Sequence, residues 1–178
     1  MSNRATPIAI IAVVVIGAGL GYFLFLRPNQ NGPPLVNDDP TNGDTEIVFT
    51  LTTGDEITID DLLADEKPLV IYFFATWCPT CRKDLENLNA THPQYVDEIS
   101  VLVVGFDPTE SLDKIKDYKE GRNYPWPFAI YNSEAVTEFQ IVSQASKVGI
   151  SLEGEVAFTR GYGVVSKDSW KDIFQELT

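Results

Sequence analysis

The chain has two cysteines, Cys78 and Cys81, three positions apart in the run Trp77-Cys78-Pro79-Thr80-Cys81. Two thiols at this spacing can exchange electrons as a dithiol–disulfide pair, supply half of a zinc site, or staple a turn. Zinc usually takes four protein ligands, and the chain offers no third cysteine and a single histidine, His92. A staple across so short a loop gains little from closure entropy. Redox exchange is therefore the leading reading. Pro79 suits the first turn of a helix, where its missing N–H is not needed. That puts Cys78 at or just before a helix N-terminus, where unpaired N–H groups and the helix dipole favour a thiolate. Cys81 lies one turn along, near enough to pair with Cys78 and to resolve a mixed disulfide.

The elements that must hold this pair are legible around it. Leu69 to Phe74 is uncharged, β-branched and aromatic, the pattern of a strand buried on both faces. A short turn, Ala75 to Trp77, leads from it into the helix, which carries Leu85 and Leu88 and should end before Pro93.

The segment Phe73-Phe74-Ala75-Thr76-Trp77-Cys78-Pro79-Thr80-Cys81-Arg82-Lys83-Asp84 resembles the active site of thioredoxin-like thiol–disulfide oxidoreductases, most of all the membrane-anchored TlpA/ResA-type branch. The resemblance implies an α/β thioredoxin fold, a central mixed sheet flanked by helices, with an N-terminal β extension. It implies attack by Cys78, resolution by Cys81, and no cofactor. It also implies a proton-handling acid at Asp84, where the branch usually has Glu; the alternative is a solvated acid favouring the helix dipole. Trp77, Pro79, Thr80 and Ala145 would face substrate. Thioredoxins proper carry a buried Asp where this chain has Tyr72. The branch normally has a cis-proline at Ala145, in Ser143-Gln144-Ala145-Ser146, and no proline follows Pro127. A cis bond before a residue other than proline costs about 2.5–4 kcal/mol, so a trans bond is expected. That departure keeps a second class of function open, a Cu(I)-binding metallochaperone, since thiolates suit a soft ion. A peroxiredoxin fits less well: its Pro-x-x-x-Thr-x-x-Cys signature would need proline and threonine at Ile71 and Ala75, or at Phe74 and Cys78.

A net charge of −13 argues against a nucleic-acid partner, because phosphate binding needs a basic face. Ile8 to Leu26 is nineteen residues without a charge, long enough for a membrane-spanning helix. It is longer than a signal-peptide apolar region, and no small-residue cleavage site follows. Residues 1–27 read as an uncleaved membrane anchor and 28–45, rich in Pro, Asn, Gly and Asp, as a flexible tether. Acidic residues accumulate beyond the span, and Arg4 and the α-amine precede it. This charge distribution favours a cytoplasmic N-terminus and an extracytoplasmic domain. The resemblance implies the same placement, with protein thiol or disulfide substrates and a membrane thiol carrier as electron source.

The domain should occupy residues 46–178. Ile47, Phe49 and Leu51 alternate with polar residues, Thr53-Gly54-Asp55 turns, and Ile57-Thr58-Ile59 returns as a hairpin. Asp60 would cap a short helix. Ile99 to Phe106 reads as a second buried strand, and Leu112, Ile115 and Tyr118 as a helix face. Phe128 to Ile130 reads as a short strand and Glu134 to Phe139 as a helical turn or two. Lys147–Ser151 and Val156–Arg160 form a hairpin. Trp170, Ile173, Phe174 and Leu177 mark the apolar face of a last helix capped by Ser166. His92 is expected to cap the helix that carries the cysteines.

Overall fold

The computed structural model describes residues 46–178. The expected span at 8–26 and tether at 28–45 lie outside them. Among the described residues no helix is long and apolar enough to cross a membrane.

A five-stranded sheet organises the domain. β3 (Leu69–Phe74) is central, parallel to β4 (Ser100–Gly105) on one side and antiparallel to β6 (Ser146–Ile150) on the other. β5 (Phe128–Ala129) extends the sheet beyond β4 and β7 (Val156–Arg160) extends it beyond β6. All six residues of β3 are buried. Its alternate side chains feed two separate cores. Val70, Tyr72 and Phe74 pack with Leu85, Leu88, Trp170 and Phe174, whereas Leu69, Ile71 and Phe73 pack with Phe49, Phe139 and Ile141. Helices cover both faces, which is why the strand shows no polar alternation.

α2 (Pro79–Thr91) follows β3 and α5 (Lys167–Leu177) closes the chain. The two pack together on the Tyr72 face. α3 (Leu112–Glu120) and α4 (Ser133–Glu138) flank β5 in the stretch between β4 and β6. β3-α2-β4 thus forms a βαβ half and β6-β7-α5 a ββα half.

The N-terminal hairpin pairs β1 (Val48–Thr50) with β2 (Glu56–Thr58). It covers an otherwise open edge: Thr52 N–H donates to Phe128 O at 2.8 Å and Ile130 N–H to Thr50 O at 3.0 Å. The short helix after it, α1 (Ile59–Leu63), is capped by Thr58 in a capping box with Asp61, and not by Asp60. Thr58 ends the strand in extended backbone, so its hydroxyl already faces the Asp61 amide, two residues earlier than sequence placed the cap.

Candidate active site

Cys78 is the N-cap of α2 and Pro79 its first residue. The Cys81 N–H donates to Cys78 Sγ at 3.0 Å, so the sulfur occupies the place a capping oxygen usually takes. Cys78 and Cys81 form a disulfide with their Cα atoms 5.3 Å apart. Cys78 is 2 % exposed and Cys81 fully buried. The outer sulfur is thus the one that substrate can reach, and Trp77 beside it stands 56 % exposed. Pro79 is exposed and Thr80 half-buried, its hydroxyl 2.6 Å from the Tyr162 hydroxyl.

The turn before Cys78 is held by residues the sequence did not single out. Glu110, buried after β4, accepts from the Thr76 amide at 3.0 Å and from the Thr76 hydroxyl. Lys114 neutralises it from solvent at 2.8 Å. Trp77 Nε1 donates to Asp107 at 2.8 Å. Hydrogen bonds from Thr109 and Trp77 hold the Asp107 carboxyl below the usual range. One loop, Asp107 to Glu110, therefore fixes both residues that precede the attacking cysteine. The signal available in sequence was only an acid-rich segment after a strand.

Asp84 is not a solvated acid at the helix start: it is fully buried, one helical turn beyond Cys81. Four donors converge on it. Tyr72 Oη donates at 3.1 Å, Trp170 Nε1 at 3.0 Å and the Val165 amide at 3.1 Å, and Lys147 forms an ion pair with it. The register explains the arrangement. Tyr72 of β3 lies opposite Lys147 of β6, so both side chains rise on the same sheet face. α2 lowers Asp84 onto them and α5 adds Trp170. Burial pushes the Lys147 ammonium below the usual lysine range, and Asp84 opposes that shift. Burial, and then the Asp84 charge, push the Tyr72 hydroxyl far up, so it remains a donor. In the sequence Lys147 marks only the start of a strand. A lone lysine there looks like a solvated strand end, and nothing local reveals its partner sixty-odd residues away.

Ala145 lies where the resemblance puts a proline. All peptide bonds among the described residues are trans. Ala145 adopts φ +59°, and its side chain is fully buried. Its amide donates to Phe73 O at 2.7 Å, a bond proline cannot make, and its carbonyl accepts from Lys147 at 2.8 Å. Ala145 shares one apolar cluster with Cys78 and Cys81.

His92 follows α2 at the C-cap position, but its ring caps nothing. It is buried, and Nδ1 accepts from Trp126 Nε1 at 3.1 Å. Nε2 therefore carries the proton and donates to Ile99 O at 3.0 Å. Burial keeps this ring below the usual histidine range. His92 thus stands at the helix end as expected, but its ring fills the core and does not bond the helix carbonyls.

Comparison with known proteins agrees with this geometry. Residues 43–168 match the model of the AhpC/TSA family. The chain is 23% identical over 181 residues to a thiol:disulfide interchange protein DsbE of Tatumella citrea, covering 99% of this chain and 95% of that one. It is 23% identical over 182 residues to the thiol-disulfide oxidoreductase ResA of Bacillus cereus, covering 99% and 98%. In fold it resembles a secreted Mycobacterium tuberculosis disulfide oxidoreductase, with TM-score 0.64 at 14% identity over 74% of this chain and 96% of that one. StoA from Bacillus subtilis gives TM-score 0.59 at 18% identity over 70% and 92%. The chain belongs to the AhpC/TSA family and is a thioredoxin-like thiol–disulfide oxidoreductase.

Proposed function

We propose that this AhpC/TSA-family protein works from the membrane as an extracytoplasmic reductant of protein disulfides, with the cysteine pair of an apocytochrome c as one substrate. The observation that carries the reading is the asymmetry of the disulfide. Cys78 sits at the start of α2 beside an exposed tryptophan, and Cys81 is sealed behind it. The uncharged span at residues 8–26 supports the anchor, and the TlpA/ResA-type resemblance supports the direction of electron flow.

In the reduced protein the Cys78 thiolate attacks one substrate sulfur. A Cys78–substrate bond forms, and the second substrate sulfur leaves as a thiolate and takes a proton. Cys81 then loses its proton, for which Asp84 is the nearest acid in sequence, and attacks Cys78 Sγ. The Cys78–Cys81 disulfide forms and the first substrate sulfur leaves. Two electrons have moved to the substrate, and a membrane thiol carrier must return them. Trp77, Pro79 and Thr80 form the outer wall against which the substrate chain would lie, with the Ala145 loop opposite.

The test has two arms. The Cys81→Ser variant of the full chain should trap an apocytochrome c peptide carrying an oxidised Cys-x-x-Cys-His as a mixed disulfide. In cells, the protein should resist carbonate extraction from membranes, and its domain should be digested by protease added outside the cytoplasmic membrane. A carbonate-soluble protein, or one shielded from that protease, would overturn the placement. A reduced protein that leaves the peptide oxidised would overturn the direction.

A further inference from the structure

The Lys147 ammonium has three protons and three acceptors, drawn from three parts of the chain. It pairs with Asp84 of α2, donates to Ala145 O at 2.8 Å, and donates to Gly163 O at 2.6 Å. The two carbonyls belong to the two loops that flank the disulfide. The first loop holds Ala145 in left-handed backbone, which residues with a side chain rarely adopt. The second, between β7 and α5, is tied to the cysteine helix by Val165 N–H to Asp84, by Asn87 to Val165 O at 2.8 Å, and by Tyr162 to Thr80. Neither loop contains a proline or belongs to the sheet ladder, yet Ala145 is fully buried in the same apolar cluster as the two cysteines.

We propose that Lys147 is a positioning residue that holds both loops in register with the disulfide, so that the surface facing substrate is set by a buried cation in this chain. The inference rests on the reading of protein disulfides as substrates. Lys147 does not touch the sulfurs. It acts through the Ala145 and Gly163 carbonyls, and Asp84 anchors it from below. A buried ammonium must find acceptors for all three of its protons, and here the two that Asp84 leaves over both go to loop carbonyls rather than to sheet or helix.

The test separates those two roles by comparing the full-length wild type with Asp84→Asn and with the double variant Asp84→Asn/Lys147→Met. Asp84→Asn keeps the ammonium and its carbonyl bonds. The double variant loses them but leaves no buried charge unpaired, so it folds even where Lys147→Met alone does not. Hydrogen exchange is read at the Ala145 amide, with Val148 in the core strand as reference. Taken relative to Val148, which follows the overall loss of stability, protection of Ala145 should be near wild type in Asp84→Asn and fall about tenfold in the double variant. Reduction of insulin should show the same split, with KM rising about tenfold from Asp84→Asn to the double variant as the loops lose their position. Equal Ala145 protection in the two variants, or an insulin KM unmoved between them, would overturn the proposal and leave Lys147 as a counter-ion. A wild-type protein that cannot reduce insulin overturns the substrate reading instead, and the amide exchange then decides the role of Lys147.

Discussion

The hydroxyl of Tyr72 on the central strand donates to the carboxylate of Asp84 on the facing helix, at 3.1 Å with both residues fully buried. Thioredoxins proper, by the resemblance, carry their buried acid at the Tyr72 position. Here the acid comes from the helix, and the strand supplies a donor to it. The charge stays next to the resolving cysteine, one helical turn from Asp84, where side chains lie about 5–6 Å apart.

That placement predicts the effect of Asp84→Asn. The substitution leaves Lys147 buried without its counter-ion, and breaking one side of such a pair costs about 3–5 kcal/mol. A negative charge near the thiols is removed, so their pKa values should fall. Resolution by Cys81 should slow, and mixed disulfide should accumulate. Urea denaturation, thiol titration and rapid quench measure the three effects. Unmoved titrations with a wild-type rate of resolution would show that the Cys81 proton leaves by another route.

The cysteines themselves should behave unequally. Cys78 has the helix start and is the less buried of the two, so it should alkylate first in the reduced protein. Cys78→Ser should form no mixed disulfide and Cys81→Ser should hold one. Mass spectrometry of the trapped species reads this directly, and equal trapping by both variants would reverse the assignment.

Glu110 should matter to reactivity although it is remote in sequence. Glu110→Ala leaves the Thr76 amide without its acceptor, at about 1–3 kcal/mol. The turn that sets Trp77 and Cys78 should loosen. We expect a lower melting temperature together with a slower Cys78 attack, whereas Lys114→Ala, which keeps both Glu110 bonds to Thr76, should slow the attack less. A Glu110→Ala protein with wild-type attack kinetics would mean the turn holds itself.

His92 predicts a pH dependence of stability. Its neutral ring accepts from Trp126 and donates to Ile99, and a second proton would displace the Trp126 bond. In the unfolded chain the ring takes a proton below about 6.5; in the folded protein it does so only at lower pH. Between those values the unfolded state holds more protons, so stability is complete above about 6.5 and falls as pH drops through the window, at up to about 1.4 kcal/mol per pH unit. His92→Gln should flatten this slope. Urea melts at a series of pH values compare the two proteins, and an equal slope in the variant would assign the effect to carboxylates.

The sequence by itself determined the local features whose cause is local. The Trp77-Cys78-Pro79-Thr80-Cys81 run states its chemistry because proline and the spacing set the helix start and bring the sulfurs together. The unbroken apolar run of β3 and the i, i+3, i+4 face at Trp170, Ile173 and Phe174 foretold which surfaces would be buried. The terminal strands and helices were legible for the same reason. What only the tertiary structure decided is the set of partners. Asp84 looked as much like a helix-start acid as a catalytic one until β6 brought Lys147 beside Tyr72 and α5 brought Trp170. Glu110 and His92 carried no motif, since their hydrogen bonds reach Thr76 and Trp126 across thirty-four positions. Ala145 looked like a lost proline, but its amide and carbonyl are both engaged by groups distant in the chain or buried beneath it. Helix starts and apolar periodicity arise from neighbouring residues, whereas a buried polar group is satisfied by whatever the sheet register places opposite it.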